Sequence, residues 1–424
     1  MTGSPDLRNA SFRDLYRAWE DHPWSSSAID LSLDAKQWTE ELDERQRESA
    51  LWNYAMFLKG VETEARTLSA VMDATPFEDA RAFLATQIVD EARHRMFLDR
   101  WLREVAGQGE DPVSTLSAVE DHLTWGFRQV FGELERVADA LRKKPRDRPL
   151  LTQAVALCHV IIEAVLAIPG EHFIHRYLKK RDVLPGLAYG LTQTARDEER
   201  HVAFGAKFLD ELVHHSKECR SAAIEMFDRV VPWMVGVFIP PDLDPSYTEC
   251  FDFTLGEIYA FGLRGLERSL QDVGINPREI RMLARDDRSL PYEERARRLL
   301  VLIESGVVGD DTREPELKPE AYEILFEGMA RAMDVDVARS LEGPLEWTFT
   351  DAEPWHLLVV GDHVEARPGA PGGPGGAALR LESASGDWAK IAVGRFDPRW
   401  ALLRRRLRVH GSLASKAKVS KLFD

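Results

Sequence analysis

One glutamate constrains this chain more than any other residue. The run Ala154 to Ile168, AVALCHVIIEAVLAI, is apolar enough to be buried on most faces, yet it carries Glu163 as its only acidic residue. An uncompensated carboxylate in such a setting costs on the order of several kcal/mol, so something positive must meet it. The charge and the following Pro169 mark the run as a core helix of a folded domain rather than a membrane span. Its partners are to be sought on neighbouring helices.

From about residue 40 to about 235 the apolar residues recur at helical spacing, which predicts helices near 45–73, 77–105, 117–142, 149–179 and 186–216. The punctuation between them, AGQGEDP, KKPRDRP and DVLPG, is short, so neighbours should run antiparallel. Two Glu-x-x-His motifs, Glu91 to His94 and Glu198 to His201, fall inside these helices, and an i, i+3 spacing puts both side chains of each on one face. That face is apolar. Leu84, Glu91, Leu98 and Val105 share one heptad track, and Leu191, Glu198, Gly205 and Leu212 share the other.

Glu163 lies 35 residues before the second motif, and Glu62, in GVETEA, lies 29 before the first. Glu64 is the alternative to Glu62 on that helix; the closer match of spacing favours Glu62. Four carboxylates carry the charge that two divalent cations cancel, and two imidazoles complete their shell. A solvated salt bridge accounts for either motif alone, but not for two on apolar tracks with an upstream acid each. Glu199 should face solvent, and Asp90 and Asp197, which precede the motif acids, are expected to be exposed rather than to hold the histidines.

Composition narrows the remaining classes. The chain has 424 residues, enough for two domains, with 44% hydrophobic and 30% charged residues, as in folded globular protein. A net charge of -16 repels polyanions, so nucleic acid is not expected as a partner. Cys158, Cys219 and Cys250 form no CxxC pair, which suits a reducing, cytoplasmic setting, and no transmembrane segment or signal pattern is expected.

One glutamate from each of two helices with a Glu-x-x-His from each of two others is the ferritin-like dimetal carboxylate pattern. Over roughly Ala28 to Val235 the chain resembles the ribonucleotide-reductase small-subunit-like ligand-binding oxidases, through AIDLSLDAKQW, FLKGVETEA, DEARHRMFLDRWL, HVIIEAVLAIPG, VLPG and RDEERHVAFG in that order. The resemblance implies Glu62, Glu91, His94, Glu163, Glu198 and His201 as metal ligands and two metal ions, Fe/Fe or Mn/Fe. It also implies O2 as co-substrate, an apolar ligand beside the metals, a separate electron donor and a homodimer. Where that family has a tyrosine cross-linked to a valine, this chain has Cys158, either an inert core thiol or a redox-active neighbour. True reductase small subunits carry a radical tyrosine where Leu98 stands here and another near the C-terminus, whereas this chain ends in KLFD, which disfavours a radical-generating subunit.

The polar segment GDDTREPELKPE, Gly309 to Glu320, suggests a boundary, with a helical unit and linker over 1–315 and a second domain over 316–424. A period-two run at Leu345 to Thr350 and short β-like runs at Trp355 to Val360 and Ala377 to Leu381, around a Gly/Pro-rich tip at Pro368 to Gly376, make the tail α+β. It resembles a sterol-carrier-protein type lipid-binding domain through FTDAEPWHLLVVGD and AKIAVGRFDPRWALLRRRLRVHGSLASKAKVSKLF. The expectation is a mainly α protein, a ferritin-like bundle followed by a smaller α+β domain. It should act as an O2-dependent oxidase or oxygenase on a lipid-like substrate, or as a lipid-binding or sensing protein whose metal site reacts once. Arg395 to Lys421 holds nine basic residues against Asp397 and should form a solvated positive face.

Overall fold

The structure is a computed structural model, and it describes residues 7, 10–341, 343–372, 376–416 and 418; the C-terminal KLFD and part of the tip at 368–376 lie outside the described residues. Two compact units divide at Asn276 and Pro277.

The first unit is helical. α1 (Phe12–Glu20) and α2 (Ser32–Glu40) precede two long helices, α3 (Glu44–Ala74) and α4 (Glu78–Glu104). The helix expected over 117–142 is broken: α5 (Pro112–Ala118) leads through a single 3-10 turn into α6 (Trp125–Lys143). Thr124 causes the break, because its hydroxyl caps Phe127 N at 3.1 Å and donates to the Val237 carbonyl at 3.1 Å. α7 (Arg148–Val155), a π-helical stretch over Ala156–Ala167 and α8 (Ile168–Arg181) form one continuous rod, and α9 (Pro185–His215) and α10 (Lys217–Met234) complete the bundle. Two further helices, α11 (Ser246–Glu249) and α12 (Leu255–Asp272), close the unit.

The ends of these helices are set by particular side chains. α3 begins in a capping box in which Asp43 and Gln46 satisfy each other's backbone. α9 begins at Pro185, and the buried Asp34 of α2 caps it from another element, accepting from Gly186 N and Leu187 N, both at 2.8 Å. The π-helical stretch admits an extra residue per turn, an arrangement found most often at functional sites. Among the described residues, the rod Arg148–Arg181 is the one helix long and apolar enough to cross a membrane, but 78% of its most apolar window is buried inside the protein.

In the second unit, α13 (Arg281–Arg285) and α14 (Tyr292–Glu304) pack on α15 (Pro319–Ala332): Gly328 approaches the Arg285 carbonyl and Arg298 pairs with Glu327. The boundary expected near residue 315 therefore falls some forty residues earlier. The polar segment after Gly309 is not a free linker, because the Arg395 guanidinium gathers the carbonyls of Gly306, Val307, Asp311 and Arg313. After α16 (Val335–Arg339) the chain forms a five-stranded sheet of order β3-β2-β1-β4-β5. Its strands are β1 (Leu345–Phe349), β2 (Trp355–Val360), β3 (His363–Pro368), β4 (Leu379–Ser383) and β5 (Leu407–Gly411). β1 and β4 pair in parallel and the other pairs are antiparallel. β3 and β5 were not expected; both are edge strands, and in HVEARP and LRVHG only two or three apolar residues alternate with charged ones, a weak signal beside the longer apolar runs of β1 and β2. α17 (Ser385–Ala392) and α15 cover the sheet through Phe326, which stacks on Trp355 at 4.9 Å and Trp388 at 4.4 Å. α18 (Pro398–Leu403) and α19 (Leu413–Lys416) flank β5.

Candidate metal centre

α3, α4, the π-helical stretch and α9 each bring acid into one interior. Glu91 and Glu163 are 1% exposed, His94 and His201 fully buried, and Glu198 6% exposed. One ligand atom from each of Glu91, Glu163, Glu198 and His201 lies within 4.8 Å of all the others. The two motif glutamates span both imidazoles. Glu91 places Oε2 3.5 Å from His94 Nδ1 and Oε1 3.3 Å from His201 Nδ1, while Glu198 places its oxygens 3.5 Å from the same two nitrogens. Each of the two carboxylates therefore stands within reach of both imidazoles.

The first helix departs from expectation. Glu62 turns toward Lys59 at 3.4 Å and Arg66 at 3.5 Å, away from the cluster, whereas Glu64 is buried on the cluster side, with Cys158 Sγ 3.8 Å from its Oε1. The sequence held the signal. Lys59 and Arg66 stand at i−3 and i+4 from Glu62, as in a surface ion pair, while Glu64 shares its track with Phe57, Val61, Leu68 and Val71. Helix-to-helix spacing was the weaker guide because turn lengths differ.

Asp90 and Asp197 also overturn the expectation of exposure, being 1% exposed each. The motifs read Asp-Glu-x-Arg-His in both helices, and each aspartate holds the histidine of the other motif: Asp197 Oδ2 lies 3.0 Å from His94 Nε2, and Asp90 Oδ2 lies 3.2 Å from His201 Nε2. Arg93 and Arg200 each reach both aspartates, and the indoles of Trp19 and Trp24 donate to Asp90 and Asp197 at 2.8 Å. Such partners fix the imidazole tautomer and leave Nδ1 free to bind. Glu199 faces solvent, as expected.

Further polar neighbours were not anticipated. Gln87 donates to Glu163 Oε1 at 2.5 Å and meets His159 Nε2 at 3.1 Å through its own oxygen. Cys158 Sγ lies 3.9 Å from Glu163 Oε1 across one π-helical turn. Gly205 makes the close approach of α9 possible, since a Cβ there would stand 2.1 Å from His159 Cβ.

The buried groups do not satisfy one another. Both oxygens of Glu91, one each of Glu163 and Glu198, and Nδ1 of His94 and His201 have no hydrogen-bond partner among the described residues. Lone pairs converging without donors fit cations. The electrostatics agree: burial, then Glu91, Glu163 and Glu198, push the Glu64 carboxyl well above the usual range, and burial likewise raises Glu163. Burial opposes charge on His94, but Asp197 and Glu91 outweigh it and push it up to about 10; His201, among Glu198 and Asp90, is also raised well above its ordinary value. Burial disfavours the Glu91 carboxylate, yet the imidazoles of His201 and His94 beside it outweigh burial and bring it down to about 2. Only proton sharing relieves this cluster in the absence of cations. The buried carboxylate and histidine set is thus able to hold two metal ions.

An apolar cavity of about 590 Å³, its open mouth included, adjoins the cluster. Glu64, Glu163 and Glu198 line it together with Phe57, Phe127, Phe131, Ile162 and Phe238. Two other polar groups face it. Asn53 Oδ1 is buried without a hydrogen-bond partner, and Glu171, 7% exposed, has its carboxyl pushed well above the usual range by burial and then by Glu198.

Residues 6–232 match the family described as ribonucleotide reductase, small chain, and residues 330–424 match the SCP-2 sterol transfer family. Among solved structures, the chain is similar to variants of an R2-like ligand-binding oxidase. A tyrosine-to-phenylalanine variant with an aerobically reconstituted Mn/Fe cofactor is 21% identical, with a TM-score of 0.55 over 64% of this chain and 95% of that one. A valine-to-alanine variant with an anaerobically reconstituted Mn/Fe cofactor gives the same values. A glycine-to-phenylalanine variant, also anaerobically reconstituted, aligns at 21% identity and TM-score 0.54 over 63% and 94% of the two chains. At this identity the likeness is one of fold.

Proposed function

This chain belongs to the ribonucleotide reductase small-chain family, and from that premise we propose that its first unit is a dimetal oxidoreductase that uses O2 to oxidise an apolar, lipid-like molecule. The observation that carries the reading is the coincidence of two features: Glu64, Glu163 and Glu198 belong to the buried carboxylate and imidazole cluster and also form part of the wall of the apolar cavity. A molecule in that cavity rests against the reactive centre.

In this reading His94 and Glu64 would hold one metal and His201 and Glu163 the other, with Glu91 and Glu198 placed between them. The chemistry that an Fe/Fe or Mn/Fe pair would supply there is electron transfer between O2 and an otherwise unreactive C–H bond. The protein's own contribution is placement. Asp197 and Asp90 keep Nε2 of the two imidazoles protonated, so that each Nδ1 lone pair points inward. Phe57, Phe127, Phe131, Ile162 and Phe238 exclude water and take up the apolar body of the substrate. Asn53 and Glu171 offer the cavity's hydrogen bonds away from the cluster: the amide oxygen accepts, and the carboxyl, which burial helps to retain its proton, donates when protonated. The substrate best suited is therefore amphipathic and uncharged where it meets them.

The match of residues 330–424 to a sterol transfer family supports a lipid-like substrate delivered by the same chain; a separate electron donor and a homodimeric assembly complete the proposal. Oxygen uptake tests the reading: sustained consumption that depends on an added apolar substrate, and its loss in Glu163→Gln, are expected. Unchanged metal content and unchanged turnover in Glu163→Gln refute it.

Cys158 favours one second reading. Its thiol lies 3.8 and 3.9 Å from Glu64 and Glu163, close enough for a metal site that reacts once and oxidises its own surroundings in a lipid-binding or sensing protein. A single stoichiometric burst of uptake, with a mass increase confined to the peptide holding Cys158, distinguishes it.

A further inference from the structure

The second unit presents a surface that neither the metal centre nor the sheet explains. α18 buries only Ala401 and exposes Trp400 at 54%, Leu402 at 46% and Leu403 at 72%. Arg404, Arg405 and Arg406 follow at once, all exposed, with Arg405 in the left-handed region at φ 59°, which turns the chain sharply into β5. On the other side of β5, α19 exposes Leu413 at 88% beside Lys416.

The charges here differ from those elsewhere on the unit. Arg406 pairs with Asp387 and Arg408 with Glu382, but Arg399, Arg404 and Arg405 have no carboxylate partner among the described residues. Arg404 lies over the Trp400 ring at 5.8 Å. An indole and three leucines left in water gain nothing from folding, and unpaired guanidinium groups around them would repel a second copy of the same face.

We propose that this face docks on an anionic lipid surface, with Trp400, Leu402 and Leu403 entering the headgroup region and Arg399, Arg404 and Arg405 meeting phosphate oxygens. The commitment rests on charge complementarity. A molecule with a net charge of -16 is repelled by a negative bilayer over most of its surface, so a local basic patch with an apolar ridge decides which side approaches. Tryptophan at the water boundary and leucine just beneath it suit the depth profile of a bilayer, whereas a nucleic acid would leave the leucines uncovered. The inference is independent of the metal centre and of the oxidation reaction.

The test is co-sedimentation of the full chain with vesicles of phosphatidylcholine alone and of an equal mixture with phosphatidylglycerol. Binding to the mixed vesicles at low salt, none to the neutral ones, and release at high salt are expected. Each arginine near such a surface contributes roughly fivefold in affinity, so Arg399→Gln, Arg404→Gln and Arg405→Asn together should lower it roughly a hundredfold. Asparagine is chosen at Arg405 because it tolerates the left-handed backbone. Leu402→Ser with Leu403→Ser should weaken binding while leaving its salt dependence intact. Since all these side chains are exposed, far-UV circular dichroism should not change. Equal binding to both vesicle types, no binding to either, variants that bind as the parent does, or patch-dependent binding to DNA without binding to vesicles would each overturn the proposal.

Discussion

Replacing Glu64 and Glu62 separately by glutamine should produce opposite results, and the structure says how large the difference is. Glu64 is buried among Glu91, Glu163 and Glu198, and it faces the cavity and Cys158. Two like charges about 4 Å apart repel by roughly 4 kcal/mol at an effective dielectric constant near 20. Proton uptake relieves part of this, since burial and those neighbours already raise the carboxyl. Glu64→Gln should therefore stabilise the metal-free chain by about 1–3 kcal/mol, a rise in Tm of roughly 3–10 °C. It should weaken the metal-loaded form, because one negative charge fewer leaves a buried positive charge uncompensated.

Glu62→Gln loses ion pairs with Lys59 and Arg66, whose side chains are 27% and 57% exposed, so its cost should stay below about 1 kcal/mol and metal content should not change. The assay is thermal unfolding with and without chelator, alongside metal analysis of protein loaded at limiting iron or manganese. Glu62→Gln losing metal while Glu64→Gln retains it, or Glu64→Gln lowering the Tm of the chelated protein, refutes the assignment of Glu64.

Loading should release protons. His94, pushed up to about 10, and the raised His201 must yield Nδ1 to a cation, so apparent metal affinity should increase with pH through neutrality. Calorimetry in buffers of differing ionisation heat reads the release, and a proton count of zero contradicts it. In the chelated protein the raised His94 stabilises the fold fully below its ordinary value and loses that effect as pH rises through about 10; a urea series across this range measures the slope. Asp197→Asn should lower metal affinity roughly 10–100-fold, because the amide can present a donor where His94 needs an acceptor. Competition with a metallochromic chelator measures it. Gly205→Ala should destabilise the first unit by about 1–3 kcal/mol, since the new methyl meets His159 Cβ at 2.1 Å; a Tm equal to the parent's would mean that α9 shifts freely.

How much was legible in sequence depended on whether a residue's environment is local along its helix. Glu91, His94, Glu198 and His201 could be placed on one interior because each sits on an apolar track of its own helix, and the structure brings them together. Glu163 betrayed itself by its isolation. Asp90 and Asp197 could not be read this way: each is satisfied by a histidine and arginines of the opposite helix, and a partner in another element leaves no mark on local periodicity. The same holds for Asp34 capping α9 and for Arg395 gathering four carbonyls at and just before the start of a segment that reads as a linker. The π-helical stretch is invisible in composition, although it sets Cys158 against Glu163.

The inner half of the centre is nearly symmetric and the outer half is not, which bears on what the two metal positions can do. Asp90 and Asp197, Arg93 and Arg200, Trp19 and Trp24 exchange roles across the pair of motifs. Glu64 and Glu163 do not. Glu163 accepts from Gln87, whereas Glu64 has only the weak donor of Cys158 near its Oε1. Cys158 stands beside both carboxylates, but Glu163 alone is also held by an amide, so of the two Glu64 is the freer to turn toward the cavity that both line. If so, Gln87→Met, which removes the amide from Glu163 while keeping the volume, should make the two positions more alike. Metal preference at the two positions, read by anomalous scattering at the iron and manganese edges, should then become less distinct. Occupancies unchanged from those of the parent chain would mean that the asymmetry arises elsewhere.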